Sequence, residues 1–194
     1  MARRRRVPRG RLRSRAGAGL DLAGSYFNNE VLGPNAAALF GAAQAAGIPA
    51  ATVQAALRGF RSLPHRAEPV GEFAGVRYVN DSKATNLSAM VASIRMQDRP
   101  VWLIAGGRPK ETDFSAAIPV LRERVRGAFL IGEAAAAMAA AWDGALPCEA
   151  CGTLDRAVAE ARAEAAPGDT VLLAPGCASY DQFRSYAGRG HRFG

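Results

Sequence analysis

Beyond residue 75, short apolar runs alternate with longer segments whose apolar residues recur at helical spacing. The runs "PVWLIAGG" (100–107), "GAFLIG" (127–132), "LPCEAC" (146–151) and "TVLLAPG" (170–176) are short and largely apolar, without a clean alternation. Such runs predict strands buried on both faces, as in a parallel sheet covered by helices. Between and after them, 87–97, 115–125, 133–142, 153–165 and 179–190 read as helices. Thr153 is suited to cap the fourth of these, with Asp155 in its first turn. Upstream, "EPVGEFAGVRYVND" predicts a hairpin turning at Ala74-Gly75, with Val76 and Tyr78 alternating with polar neighbours. Before it, 35–47 reads as a helix closed by Gly47, and Pro49 opens a second helix with Val53, Leu57 and Phe60 on one face. The expected fold is α/β: a mostly parallel, Rossmann-like sheet of five or six strands with flanking helices, preceded by a short two-helix segment.

Charge divides the chain differently. Eight arginines lie within residues 1–15 with no acid among them, and from residue 16 onward 17 basic residues balance 17 acidic ones. The net charge of +8 therefore belongs to an N-terminal arm. Residues 1–22 are too poor in apolar side chains to fold alone and are expected to be a disordered Arg-rich arm. The arm lacks the interleaved aromatics of a single-strand binder and the apolar stretch of a secretory signal. No run reaches the length of a membrane span. Cys148, Cys151 and Cys177 form no framework: "CEAC" has no second Cys/His pair, so a zinc site is not expected. An odd cysteine count and no signal point to a reducing cytoplasm.

Against 23 arginines the chain holds two lysines, Lys83 in "NDSKATN" and Lys110 in "GGRPKETDF". A compact ammonium on a flexible stem can meet one carboxylate or phosphate oxygen where a guanidinium fork does not fit. Both segments follow expected strands, as does "PGCAS" after strand 170–174, and α/β sheets bind ligands beyond their strands' carboxyl ends. Lys83, Thr85 and Lys110 are donors there, and Ser179 stands at the expected start of the last helix, whose free N–H groups favour an anion. There is no G-x-x-x-x-G-K-[ST] phosphate loop, no dinucleotide fingerprint and no nucleophile elbow in the sequence.

Four blocks, "LPHRAE" (63–68), "VNDSKATN" (79–86), "IAGGRPKETDF" (104–114) and "LLAPGCASYDQFRSYAGRG" (172–190), resemble the C-terminal domain of the Mur ligases, most of all the D-glutamate-adding branch. The resemblance implies that 63–194 is the amino-acid-presenting domain and 23–62 a helical remnant of the central ATPase domain. The chain then reads as the C-terminal third of an ATP- and Mg²⁺-dependent enzyme of peptidoglycan synthesis. That enzyme activates the carboxylate of UDP-N-acetylmuramoyl-L-alanine as an acyl phosphate, which the amine of D-glutamate attacks. By the same resemblance Lys83, Lys110, Thr85, Ser179 and Tyr186 bind D-glutamate, Arg66 reaches the ATP γ-phosphate, Asp81 the ribose and Asn35 the adenine. The family pattern around Asn35, "G-x-H-N-x-x-N", is only partly kept in "GPNAAAL", and Tyr186 stands where the family usually has Phe. Without its phosphate loop the chain is expected to be inactive alone. The alternatives are a non-catalytic module for glutamate-like or nucleotide anions and an Arg-arm nucleic-acid binder.

Overall fold

The computed structural model describes residues 19–194. Most of the Arg-rich arm, residues 1–18, lies outside the described residues. The chain divides into two compact units at Ser62/Leu63. In the first, helices α1 (Gly33–Ala45) and α2 (Ala50–Gly59) bury Ala36, Phe40, Ala43, Val53 and Leu57 between them. Leu20 and Leu22 pack against this cluster, so the arm expected through residue 22 ends earlier. Asp21 holds that segment in place: its carboxylate pairs with Arg58 at 2.9 Å and its amide donates to Gln54 Oε1 at 3.0 Å.

The second unit is built on a six-stranded sheet. Its strands are β1 (Glu68–Phe73), β2 (Val76–Asn80), β3 (Val101–Gly106), β4 (Val125–Ile131), β5 (Cys148–Gly152) and β6 (Thr170–Leu173), in the order β1-β2-β6-β3-β4-β5. Only β1 and β2 are antiparallel. Their hairpin turns at Ala74 and Gly75, both at positive φ (50° and 76°), as a tight two-residue turn requires. Pro69 is tolerated because β1 is an edge strand. Simple alternation fails in β2, where Val76, Val79 and Asn80 are all buried, because its carboxyl end is covered: Asn80 lies against His65 and bonds Gly190 O.

The helices are α3 (Leu87–Arg95), α4 (Ile118–Arg124), α5 (Ala135–Ala141), α6 (Leu154–Glu164) and α7 (Tyr186–Phe193). Ile104, Phe129, Ile131, Val171 and Leu173 share one core with Leu154, Ala157 and Ala161 of α6 and Phe193 of α7. Their strand neighbours Leu103, Leu130 and Leu172 point to the opposite face and are equally buried, so both faces are covered. Thr153 caps α6 as expected, accepting from the Arg156 amide.

Three helix boundaries differ from expectation. Val125 opens β4 instead of closing α4. The helix expected over 133–142 is confined to Ala135–Ala141. The helix expected over 179–190 starts only at Tyr186, because Ser185 takes the extended cap conformation and accepts from the Gly188 amide. Among the described residues no helix is long and apolar enough to cross a membrane.

Candidate functional site

The loops after β2, β3 and β6 all leave the carboxyl edge of the sheet, and short-range bonds join them. Arg108, after β3, exchanges two backbone hydrogen bonds of 2.9 Å with Ala178, after β6. The Gly176 amide donates to Ala84 O at 2.9 Å, tying the β6 loop to the β2 loop. Glu111 reaches back from the β3 loop to accept from the Leu87 amide at 3.1 Å, and Asn86 accepts from Ala89 at 2.8 Å, so two loops cap α3 together. Glycine is needed where the loops cross. A Cβ on Gly106 (φ 117°) would lie 2.0 Å from Ile131 O, and one on Gly107 (φ 127°) 2.3 Å from Ala178 O.

On this frame the two lysines converge on one loop. Lys110 Nζ lies 3.5 Å from Thr85 Oγ1, a long contact that leaves most of the ammonium's donors to solvent. Lys83 is half-buried, with its Nζ 4.1 Å from the centroid of the Tyr186 ring, a cation–π contact that holds the stem. The Lys83 amide donates to His65 O at 3.0 Å. Ser179 is buried and begins a turn, with its carbonyl accepting from Gln182 and Phe183. It does not stand at a helix N-terminus, which corrects the expectation: the free amides of α7 open at Ser185, six residues later.

Arg66, before β1, lies near Asp81, which directly follows β2. Burial pushes the Asp81 carboxyl above the usual carboxylate range, opposed by the Ser93 hydroxyl, the Ala67 amide and the nearby Arg66 guanidinium. The turn that presents Arg66 is tight: His65 and Ala67 on either side have φ 61° and 44°. His65 anchors it. Asn80 Nδ2 donates to Gly190 O at 3.2 Å while its Oδ1 accepts from the Ser82 amide at 3.1 Å, which fixes the amide's orientation. The same Nδ2 lies 3.0 Å from His65 Nδ1, so that nitrogen is the acceptor and the ring's proton sits on Nε2. Asn35 is exposed on α1, in the other unit.

Sequence reasoning missed two parts of this edge. The loop after β4 also belongs to it: the Glu133 amide donates to Asp181 at 3.1 Å, and Arg108 pairs with Glu133 at 3.1 Å. Beneath the loops Arg189 is fully buried. One glycine-rich helix with an arginine among 23 gave no signal of that. Lys83, Lys110 and Thr85 thus offer donors suited to carboxylate or phosphate oxygens. Among the described residues no three His, Cys, Asp or Glu side chains gather as metal ligands.

A mostly parallel α/β domain that gathers ammonium groups on the loops at its strands' carboxyl ends carries them where sheets of this class bind ligands. A sequence model of the Mur ligase, glutamate ligase domain, matches residues 65–177, and the chain belongs to this family. It is 45% identical over 151 residues to the UDP-N-acetylmuramoylalanine--D-glutamate ligase of Myxococcus xanthus, covering 78% of this chain and 33% of that protein. Identity to the ligase of the same name from Solibacter usitatus is 47% over 152 residues, covering 78% and 34%. The chain thus spans about a third of the length of these curated relatives. Among solved structures, UDP-N-acetylmuramate-alanine ligase MurC from Thermotoga maritima superimposes with a TM-score of 0.57 at 13% identity, covering 85% of this chain and 37% of that one. E. coli FolC in complex with DHPP and ADP gives 0.56 at 20% identity, covering 82% and 37%. These two likenesses establish the shared α/β fold.

Proposed function

We propose that residues 63–194 present D-glutamate in an ATP-dependent ligase that joins it to UDP-N-acetylmuramoyl-L-alanine, with residues 23–62 belonging to the end of the ATP-binding domain. The observation that carries this reading is that Lys110 Nζ reaches Thr85 in the loop that also carries Lys83, the chain's only other lysine, in a domain 45% identical to D-glutamate ligases. In the reaction the muramoyl-alanine carboxylate is first phosphorylated by ATP, forming an acyl phosphate and ADP. The D-glutamate amine attacks that carbonyl, the amide C–N bond forms, and inorganic phosphate leaves with the C–O bond's electrons.

On this reading Lys83 and Lys110 bind the glutamate carboxylates as point cations, and Thr85 and Ser179 add hydroxyl donors. The Tyr186 ring holds Lys83 in place from the side. Arg66 offers its guanidinium to the ATP γ-phosphate and Asp81 accepts from the ribose hydroxyls. Asn35 would meet the adenine. The amine attacks in its neutral form, and the proton released as the amide forms passes to solvent or phosphate.

The test is a heteronuclear NMR titration of the chain with D-glutamate. Shifts should concentrate at the amides of 83–86 and 108–111. Lys83→Arg and Lys110→Arg should each weaken binding about tenfold or more, since a charge-assisted hydrogen bond contributes on the order of 1.5–3 kcal/mol and a planar fork cannot replace a point donor. L-Glutamate and D-glutamine serve as the stereochemical and charge controls. Normal affinity in both arginine variants would sink the assignment.

A further inference from the structure

Arg189 is the most completely buried charge in the described part of the domain, at 0% exposure, and no carboxylate there pairs with it. Its Nε donates to Ser82 Oγ at 3.0 Å, and Nη2 donates to Ser82 O and Cys177 O, both at 3.0 Å. Nη1 lies 3.4 Å from both Gly106 O and Ala178 O. One guanidinium thus engages the loops after β2, β3 and β6 together. All five acceptors are neutral, and burial pushes the group down to about 10.

Burying an unpaired charge is costly, and a well-packed apolar side chain usually serves a core better. What the guanidinium supplies instead is geometric: five donors in a fixed plane, which no other side chain can aim at three separate loops. The residues it holds adjoin the donors of the site. Ser82 precedes Lys83, Ala178 precedes Ser179, and Gly106 opens the loop that carries Lys110. The helix that delivers it is itself pinned, through Ser82 Oγ donating to Tyr186 O at 2.8 Å and through the paired bonds of Arg192 to Asp155.

We propose that Arg189 is a positioning residue that locks the three loops into one cooperative unit, so that Lys83, Lys110 and Ser179 meet a dicarboxylate with their spacing already set. The loop-locking part stands on the hydrogen bonds alone; the dicarboxylate rests on the function proposed above.

Native-state hydrogen exchange on the full chain separates the two. In the wild type the amides of Lys83, Arg108 and Ala178 should open together, with one common protection, below that of the sheet amides of Leu103 and Leu130. Arg189→Lys keeps the charge and loses the fork. It should speed exchange at the three loop amides about tenfold or more while the sheet amides keep their rates, and weaken D-glutamate binding by a similar factor under conditions where the variant is fully folded. A uniform loss of protection across loops and sheet would make Arg189 a packing residue and overturn the proposal. So would unchanged loop exchange, or unchanged D-glutamate affinity in the variant. Should Arg189→Lys fail to fold, the wild type decides alone: loop amides that open independently of one another refute the lock. If the wild type binds no D-glutamate, the functional reading falls, and the exchange pattern still judges the lock.

Discussion

Asp81 sets the role proposed for it against stability at a single residue. Its carboxyl is raised by burial, so the folded protein holds that proton more tightly than the unfolded chain. The resulting contribution to stability is complete below the ordinary value of 3.8 and is lost as pH rises through the raised one. At neutral pH the ionised group is a net cost. Asp81→Asn should therefore melt higher than the wild type at neutral pH, and the two should converge as the solution is acidified. Thermal melts across that range check the sign, and a gain independent of pH would place the effect in packing. Residue chemistry was legible in the sequence where the chain is sparing: two lysines stood out, and Lys110 reaches Thr85 while Lys83 lies two residues before it in the same loop. Arg189 was illegible because its type is common and its role depends on carbonyls up to 107 positions away.

Among the elements, α7 shows how a helix start is misread. Ser179 and Ser185 both precede sequence that tolerates a helix, but only Ser185 is extended (φ −162°) with its hydroxyl on the amide three residues ahead. The intervening residues are spent on tertiary bonds, such as Gln182 Nε2 to Gly152 O at 2.6 Å and Asp181 to the Glu133 amide. Those partners are remote in sequence, so local propensity cannot reveal them. Ser185→Ala should cost about 0.5–2 kcal/mol, measurable by urea unfolding, and Ser179→Ala should leave the fraying of α7 unchanged. Strand β5, by contrast, ends at Gly152, one residue past the run its sequence indicated, and its cysteines are not a reactive pair: Cys151 is pushed up to about 11, largely by burial.

At the scale of the whole molecule, phosphoryl transfer depends almost wholly on positioning and on neutralising charge at the phosphates. The chain carries no phosphate-loop motif. Purified alone, it should release no phosphate from ATP, with or without D-glutamate, in a coupled phosphate assay; steady D-glutamate-dependent release would contradict this. Short apolar runs made the α/β class readable, because both faces of such a sheet must be covered. The strand order was not readable, since nothing local says that β6 enters the middle of the sheet. That insertion has a consequence for how the chain comes into being. β6 alone bridges β2 to β3, through four parallel register pairs on each side. Until residues 170–173 leave the ribosome, the hairpin and the β3-β4-β5 half have no strand between them, and each half waits with an open edge. Residues 170–194, the last eighth of the sequence, then have to close the sheet and deliver Arg189 beneath the loops, so the loop cluster cannot form before they do.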